Sequence, residues 1–324
     1  MGGGTGLSTL LRGLKHFVAV GQHPEQKMPI ADLAAIVTVT DDGGSSGRLR
    51  REYRILPPGD IRNCLVALSQ DEALLGRLFQ YRFPSGRGLG GHSFGNLFLA
   101  ALTKVTGDFT EAVRLCSGVL AIRGRIFPST PQLVTLEAVK RDGTVVAGET
   151  KISRTRGSVR RVRLVPRRVR PQKEVLQAIR QADLIVVGPG SLYTSIIPNL
   201  LVTGVAGALR RSRATRVYIA NLMTQPGETE GYSVADHVRA IHEHTGGRVF
   251  DWVVMNHAQI SPGLLRRYRA DGAEPVVPDI AALQRLGLRS VFDDLVEEDG
   301  VVRHDAARLT RLLLEEFVQQ RPPA

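Results

Sequence analysis

Residues 184–195 read Leu184-Ile185-Val186-Val187-Gly188-Pro189-Gly190-Ser191-Leu192-Tyr193-Thr194-Ser195: four apolar residues, three of them β-branched, then a loop of glycine, proline and hydroxyl side chains. A short apolar run bounded by turn residues is the pattern of a strand buried on both faces. The pattern repeats at 217–220 and 252–256, and a longer apolar run occupies 33–40. Helical periodicity fills the intervals at 172–181, about 203–211 and 233–244, and returns at about 7–17, 60–68, 96–106, 110–120 and 305–319. Buried strands alternating with helices predict an α/β fold, a doubly wound and mostly parallel sheet. The stretch from about 130 to 166 is different. Its strand-like pieces at 133–140, 145–149 and 159–165 are short and separated by turns such as Asp142-Gly143. They predict a small antiparallel β-hairpin excursion within one domain spanning 1–324. A glycine loop already begins at residue 2, where such folds place the end of a first strand. The reading therefore expects that strand to lie upstream of residue 1, because a central strand's neighbours would otherwise keep unpaired backbone groups.

The chain has 324 residues, 43% of them hydrophobic and 23% charged, which excludes wholesale disorder. No apolar run reaches the roughly 18 residues of a membrane helix, and the N-terminus lacks the pattern of a signal peptide. Cys64 and Cys116 have no metal-spaced partner and read as buried, reduced thiols of a cytoplasmic protein. The net charge of +12 is concentrated: residues 151–173 hold ten Lys or Arg and no acid. Val159, Val162 and Leu164 interrupt the arginines, and no aromatic residue is present to stack on bases. That favours a half-buried strand with a solvated face over a surface for an acidic partner, and nucleic acid is not expected.

Six polar, glycine-rich loops carry the candidate chemistry. Gly3, Gly4, Thr5 and Gly6 open a helix, where backbone N–H groups at the positive helix end suit an anion. Leu7 occupies the position at which a dinucleotide fingerprint needs Gly or Ala, and no Gly-Lys-Ser/Thr follows, so the loop is neither that fingerprint nor a Walker loop. Asp41, Asp42, Gly43, Gly44, Ser45, Ser46 and Arg48 follow the 33–40 run. Paired acids at a strand's carboxyl end can hold ribose hydroxyls or a divalent metal, with Asp41 and Asp42 as the metal candidates. Asp60, Arg62 and Asn63 come after Pro57-Pro58-Gly59, where Asp60 reads equally as a helix cap or a site residue. His92 and Asn96 lie in a fourth loop, with His92 a candidate proton carrier. Gly188, Gly190, Ser191, Thr194 and Ser195 form the fifth, and Asn221, Thr224 and Gln225 belong to the sixth. Loops after several parallel strands converge at one sheet edge, which points to a single site for a phosphorylated ligand. No nucleophile elbow or helical zinc pair is present, and Asp41, Asp42, Asp60 and His92 are the catalytic candidates if a reaction occurs.

These motifs, GGGTGLSTLLRGLK, TDDGGSSGRLR, LPPGDIRN, GHSFGNL, GPGSLYTSIIPNLL and NLMTQPGETEGY, together resemble the gluconeogenesis factor family, the YvcK-like proteins, over nearly the whole chain. That family is related to the CofD 2-phospho-L-lactate transferases. The resemblance implies a cytoplasmic, Rossmann-like protein that binds a UDP-sugar such as UDP-N-acetylglucosamine and supports cell shape and growth on gluconeogenic carbon. It also implies that Tyr268 and Arg303 contact the nucleotide sugar. CofD-like enzymes instead move a phospholactyl group from a nucleotide diphosphate with Mg²⁺. No cofactor is otherwise implied, and the sequence leaves a homodimer or a protein partner open.

Overall fold

The computed structural model describes residues 1–19, 28–70, 72–86 and 88–319. Among them are eleven strands: β1 Ala34–Val37, β2 Arg125–Pro128, β3 Thr135–Lys140, β4 Val145–Ala147, β5 Val159–Val165, β6 Leu184–Val187, β7 Thr215–Ile219, β8 Trp252–Asn256, β9 Arg289–Asp293, β10 Val296–Glu298 and β11 Val302–His304. Strands β6-β7-β8-β9 form one parallel sheet and β1-β2 a parallel pair. Met1 and Gly2 lie between them. Gly2 donates to the Ile36 carbonyl at 3.1 Å, Thr38 donates to the Gly2 carbonyl at 2.9 Å, and Gly188 donates to the Met1 carbonyl at 2.9 Å. The spatial order is thus β2-β1-(Met1–Gly2)-β6-β7-β8-β9, a doubly wound arrangement whose order reverses between Met1–Gly2 and β6. Open α/β sheets bind ligands at such a switch point.

The central residues of β6, β7 and β8 are apolar because helices cover both faces. Val217, Ile219 and Val254 pack with Leu10, Leu14, Leu309 and Leu313 of the helices Gly4–Leu14 and Ala306–Leu314. The alternate residues Tyr218, Val253 and Met255 join the main core with Val238 and Ile241 of the helix Val234–Thr245. Full burial of each such side chain is worth about 1.5–3 kcal/mol.

The excursion is present as an antiparallel sheet, β4-β3-β5. One detail differs from the sequence reading. Glu149 begins the helix Glu149–Arg154 and does not end a strand, because Gly148 turns the backbone to φ 100° and the Asp42 Oδ1 accepts the Thr150 N–H at 2.9 Å. The arginine stripe is exposed along β5 and beyond it, with Val159, Val162 and Leu164 buried beneath. Cys64 and Cys116 are both buried and free. Among the described residues no single helix is long and apolar enough to cross a membrane.

Candidate functional site

Three helices begin at one edge of the sheet, and none has a side-chain N-cap. They are Gly4–Leu14 after Met1–Gly2, Gly44–Tyr53 after β1, and Gly59–Leu68. Uncapped helix starts leave backbone donors at the positive end of the dipole. The local sequence explains the missing caps. Gly3, Gly43 and Pro58 stand at the N-cap positions, and none carries a side-chain acceptor.

The last two helices frame a cavity of about 210 Å³. Its lining includes Asp41, Gly43, Gly44, Ser45, Ser46, Asp60, Arg62, Asn63 and Asn96, all expected from the sequence. Gly59 and Arg82 line it too and were not expected. Arg82 comes from the Tyr81–Gly86 stretch, where nothing in the sequence distinguishes it from a solvated surface arginine. It reaches the cavity because it pairs across an isolated bridge with Ser93.

Arg62 is the strongest cationic feature. Its Nη1 donates to Ser93 Oγ at 2.5 Å and Asn96 Oδ1 at 3.0 Å, and its Nη2 to Asn63 Oδ1 at 2.7 Å. All three partners are neutral, and Nε is buried with no partner. Burial, and then the nearby Arg82, lower its pKa. Asp60 and Asp41, whose carboxyls stand at the same cavity, oppose that lowering.

The hydroxyl side chains hold the walls. Ser45 Oγ shares a hydrogen bond with His92 Nδ1 at 2.8 Å and accepts from Asn96 Nδ2 at 3.0 Å. Burial and then Arg48 push the His92 pKa down. Ser46 Oγ accepts from the Gly59 N–H at 3.1 Å, and Arg48 holds the Gly90 carbonyl at 2.7 Å.

The two acids of the β1 loop have separate positions. Asp41 lines the cavity and accepts from the Gly43 N–H at 2.8 Å. Asp42 lies outside the lining and holds the start of the Glu149–Arg154 helix. The carboxylate that joins Asp41 at the cavity is Asp60, whose Oδ2 accepts from the Gly4 N–H at 2.8 Å. Burial pushes the Asp60 carboxyl up to about 6, and Asp41 adds to the rise. Glu149 is pushed well up by burial and then by Asp41 and Asp60. Among the described residues no three His, Cys, Asp or Glu side chains are gathered in a metal-holding group. Mg²⁺ characteristically takes one or two carboxylates and fills its shell with water and phosphate oxygens. Asp41 and Asp60 suit that role at this cavity, whereas Asp41 and Asp42 as a pair do not.

Asp60 also links the cavity to the switch point. A Cβ on Gly6 would meet the Pro189 carbonyl oxygen at 2.5 Å, so only glycine lets the first helix pack on the Gly188–Ser195 loop. Gly190 N–H reaches Asn221 Oδ1 at 3.4 Å, and Gln225 Nε2 donates to Ser191 Oγ at 2.8 Å. Thr194 is buried, its carbonyl accepting from Thr40 and its hydroxyl donating to Glu228. Ser195 is buried beside Gly3 and Gly190, while Thr5 is exposed. Thr224 is tied to Glu274 through two hydrogen bonds. The predicted loops therefore meet along one edge. Tyr268 and Arg303 are not on the cavity lining. Tyr268 packs with Leu222 and Met223, its hydroxyl accepting from the Val302 N–H at 3.0 Å, and Arg303 is exposed on β11 opposite Glu297.

The sequence pattern of the family described as 2-phospho-L-lactate transferase CofD matches residues 1–296. The chain belongs to the CofD family. Within that family's relatives, the gluconeogenesis factor of Halalkalibacterium halodurans is 48% identical over 315 residues, 97% of this chain and 94% of that protein. The gluconeogenesis factor of Bacillus subtilis is also 48% identical, over 97% of this chain and 96% of that one. A crystal structure of a Bacillus halodurans protein superposes with a TM-score of 0.91 at 48% identity, covering 97% of each chain. The CofD-family fold is thus shared across the whole doubly wound sheet, in agreement with the resemblance read from the six motifs.

Proposed function

We propose that the chain is a nucleotide-sugar binding regulatory protein, with a UDP-sugar of the UDP-N-acetylglucosamine type as ligand, acting in the cytoplasm as a gluconeogenesis factor that supports cell shape. The observation that carries this is Arg62: a guanidinium with neutral partners and an unpartnered Nε at the meeting point of uncapped helix starts. A diphosphate offers acceptors to the unpartnered Arg62 Nε and to the N–H groups of the helix starts. The hydroxyl and amide groups of Ser191, Asn221 and Gln225 along the same edge offer contacts to ribose or sugar. Two relatives carrying the name gluconeogenesis factor support the regulatory role.

A second reading rests on the CofD pattern and on Asp60. A Mg²⁺-dependent phospholactyl transferase would use Asp41 and Asp60 to hold the metal against the nucleotide diphosphate, and the metal would neutralise the leaving group. Calorimetric titration with UDP-N-acetylglucosamine, UDP, GDP and GTP, each with and without Mg²⁺, separates the two. Uridine-selective binding that tolerates metal removal and gives no turnover supports the regulator. Guanine-selective, Mg²⁺-dependent binding supports the transferase. Absence of binding by all four overturns both.

A further inference from the structure

The three-stranded sheet β4-β3-β5 has two unlike faces. Its inner face carries Leu136, Ala138, Val162 and Leu164, each buried in the main core. The helix Glu149–Arg154 packs against β3 from that side, where Lys140 donates to the Ile152 carbonyl at 3.1 Å. Alternation and register set the outer face. Val145, Val139 and Arg161 stand side by side in one row, and Ala147, Glu137 and Arg163 in the next. Val165 follows on β5, opposite Thr135. Val145 is 57% exposed and Val165 40%. A bulge at Val139–Lys140 gives β5 one residue more than β3. Arg160 and Arg161 are therefore both exposed, while Val159 and Val162 stay buried.

The charge on this face is unbalanced. Arg163 is paired with Glu137 at 2.6 Å. Arg160 and Arg161, and Arg167 and Arg168 directly after β5, are exposed and have no ion pair among the described residues. We propose that the outer face of β4-β3-β5 is the docking site for an acidic, amphipathic helix of a protein partner. Its apolar side chains would cover Val139, Val145 and Val165, and its carboxylates would meet the arginines along β5.

Charge complementarity selects this occupant. A second copy of the chain would bring arginines against arginines, which repel. A nucleic acid would leave the valines uncovered and would find no aromatic ring on the face to stack its bases. The unpaired cations of the face are all arginine, the cation enriched at protein–protein interfaces, where lysine is depleted. The dimensions agree as well. β5 runs for about 20 Å, and three strands span about 10 Å. A helix is about 10–12 Å across, and about 14 residues cover 20 Å. A globular partner would need about 800 Å² on each side, more than this face offers. None of these residues lines the cavity of the candidate site.

The test uses a fluorescent helical peptide of about 14 residues, with leucines on one face and glutamates on the other. Its affinity for the full chain is read by fluorescence anisotropy at about 0.15 M salt. Oligoglutamate of the same length and single-stranded oligouridylate serve as comparisons. The amphipathic peptide is expected to bind at least tenfold tighter than either. Arg160→Glu with Arg161→Glu should weaken it at least tenfold, and Val145→Ser about threefold. The substituted side chains are exposed, so both variants should keep the parent's Tm, and the loss then reads on the surface alone. Absence of peptide binding, or binding unchanged in both variants, would overturn the proposal. Oligoglutamate binding as tightly as the amphipathic peptide would overturn it too, since the valines would then contribute nothing. Tighter binding of the oligouridylate would assign the face to nucleic acid instead.

Discussion

Replacing Asp60 by asparagine removes a charge from a partly buried position while leaving its acceptor in place. The Asp60 carboxyl is raised from an ordinary value of 3.8 to about 6 by burial, with Asp41 adding to the rise and the Gly4 N–H and Arg62 opposing it. A group whose acid form is favoured by folding gives its full stabilisation where it is protonated in both states. Between pH 4 and 6 the folded protein holds a proton that the unfolded chain has released, so stability falls as pH rises. A rise from 3.8 to about 6 corresponds to a loss of about 3 kcal/mol by pH 7. The asparagine side chain would retain an oxygen for the Gly4 N–H and has no proton to lose. The difference in unfolding free energy, Asp60→Asn minus parent, is therefore expected to be near zero at pH 4 and to grow to about 3 kcal/mol in favour of the variant at pH 7. Urea unfolding at half-unit steps from pH 4 to 8 measures it, and slopes from other groups largely cancel in the difference. A difference that stays constant with pH would refute the assignment of a destabilised carboxylate at Asp60. Stability gained at neutral pH by removing a site residue is the trade-off expected where function opposes stability.

Arg62→Ala is expected to weaken diphosphate binding at least tenfold, since hydrogen bonds to charged groups are worth about 1.5–3 kcal/mol; calorimetric titration against the parent measures it. Asp42→Ala removes the acceptor for the Thr150 N–H and should cost about 1 kcal/mol in urea unfolding. Its effect on nucleotide affinity should be smaller than that of Asp41→Ala, and a larger effect would place Asp42 on the ligand. Replacing Arg160 and Arg161 together by Glu should leave nucleotide affinity within twofold, because both side chains are exposed on β5 away from the cavity lining.

Much of the candidate site was legible because glycine-rich loops after buried strands announce themselves by composition. Asp41, Ser45, Arg62 and Asn96 were all expected, and all line one cavity. Arg82 was not legible, since its place depends on the chain crossing back to pair with Ser93. The helix Gly44–Tyr53 was hidden for a different reason. Gly44, Ser45, Ser46 and Gly47 are poor helix formers, and packing against the Phe94–Thr106 helix overrides their propensity. The helix Glu149–Arg154 was masked by its position inside an otherwise strand-like stretch.

Periodicity alone determined the alternation of strands and helices, and with it the doubly wound class, because burying both faces of a parallel strand demands an unbroken apolar run. The motifs alone determined the family. The order of the strands, the division of labour between Asp41 and Asp42, and the pairing of Asp41 with Asp60 were decided only in three dimensions. The strand order depends on backbone pairing between distant segments, and the roles of the acids on which backbone donor each carboxylate reaches: Gly4 for Asp60, Thr150 for Asp42. Local sequence carries the preference of a residue for a turn or a strand, but the desolvation that raises Asp60 and the partner that captures Asp42 are supplied by distant segments.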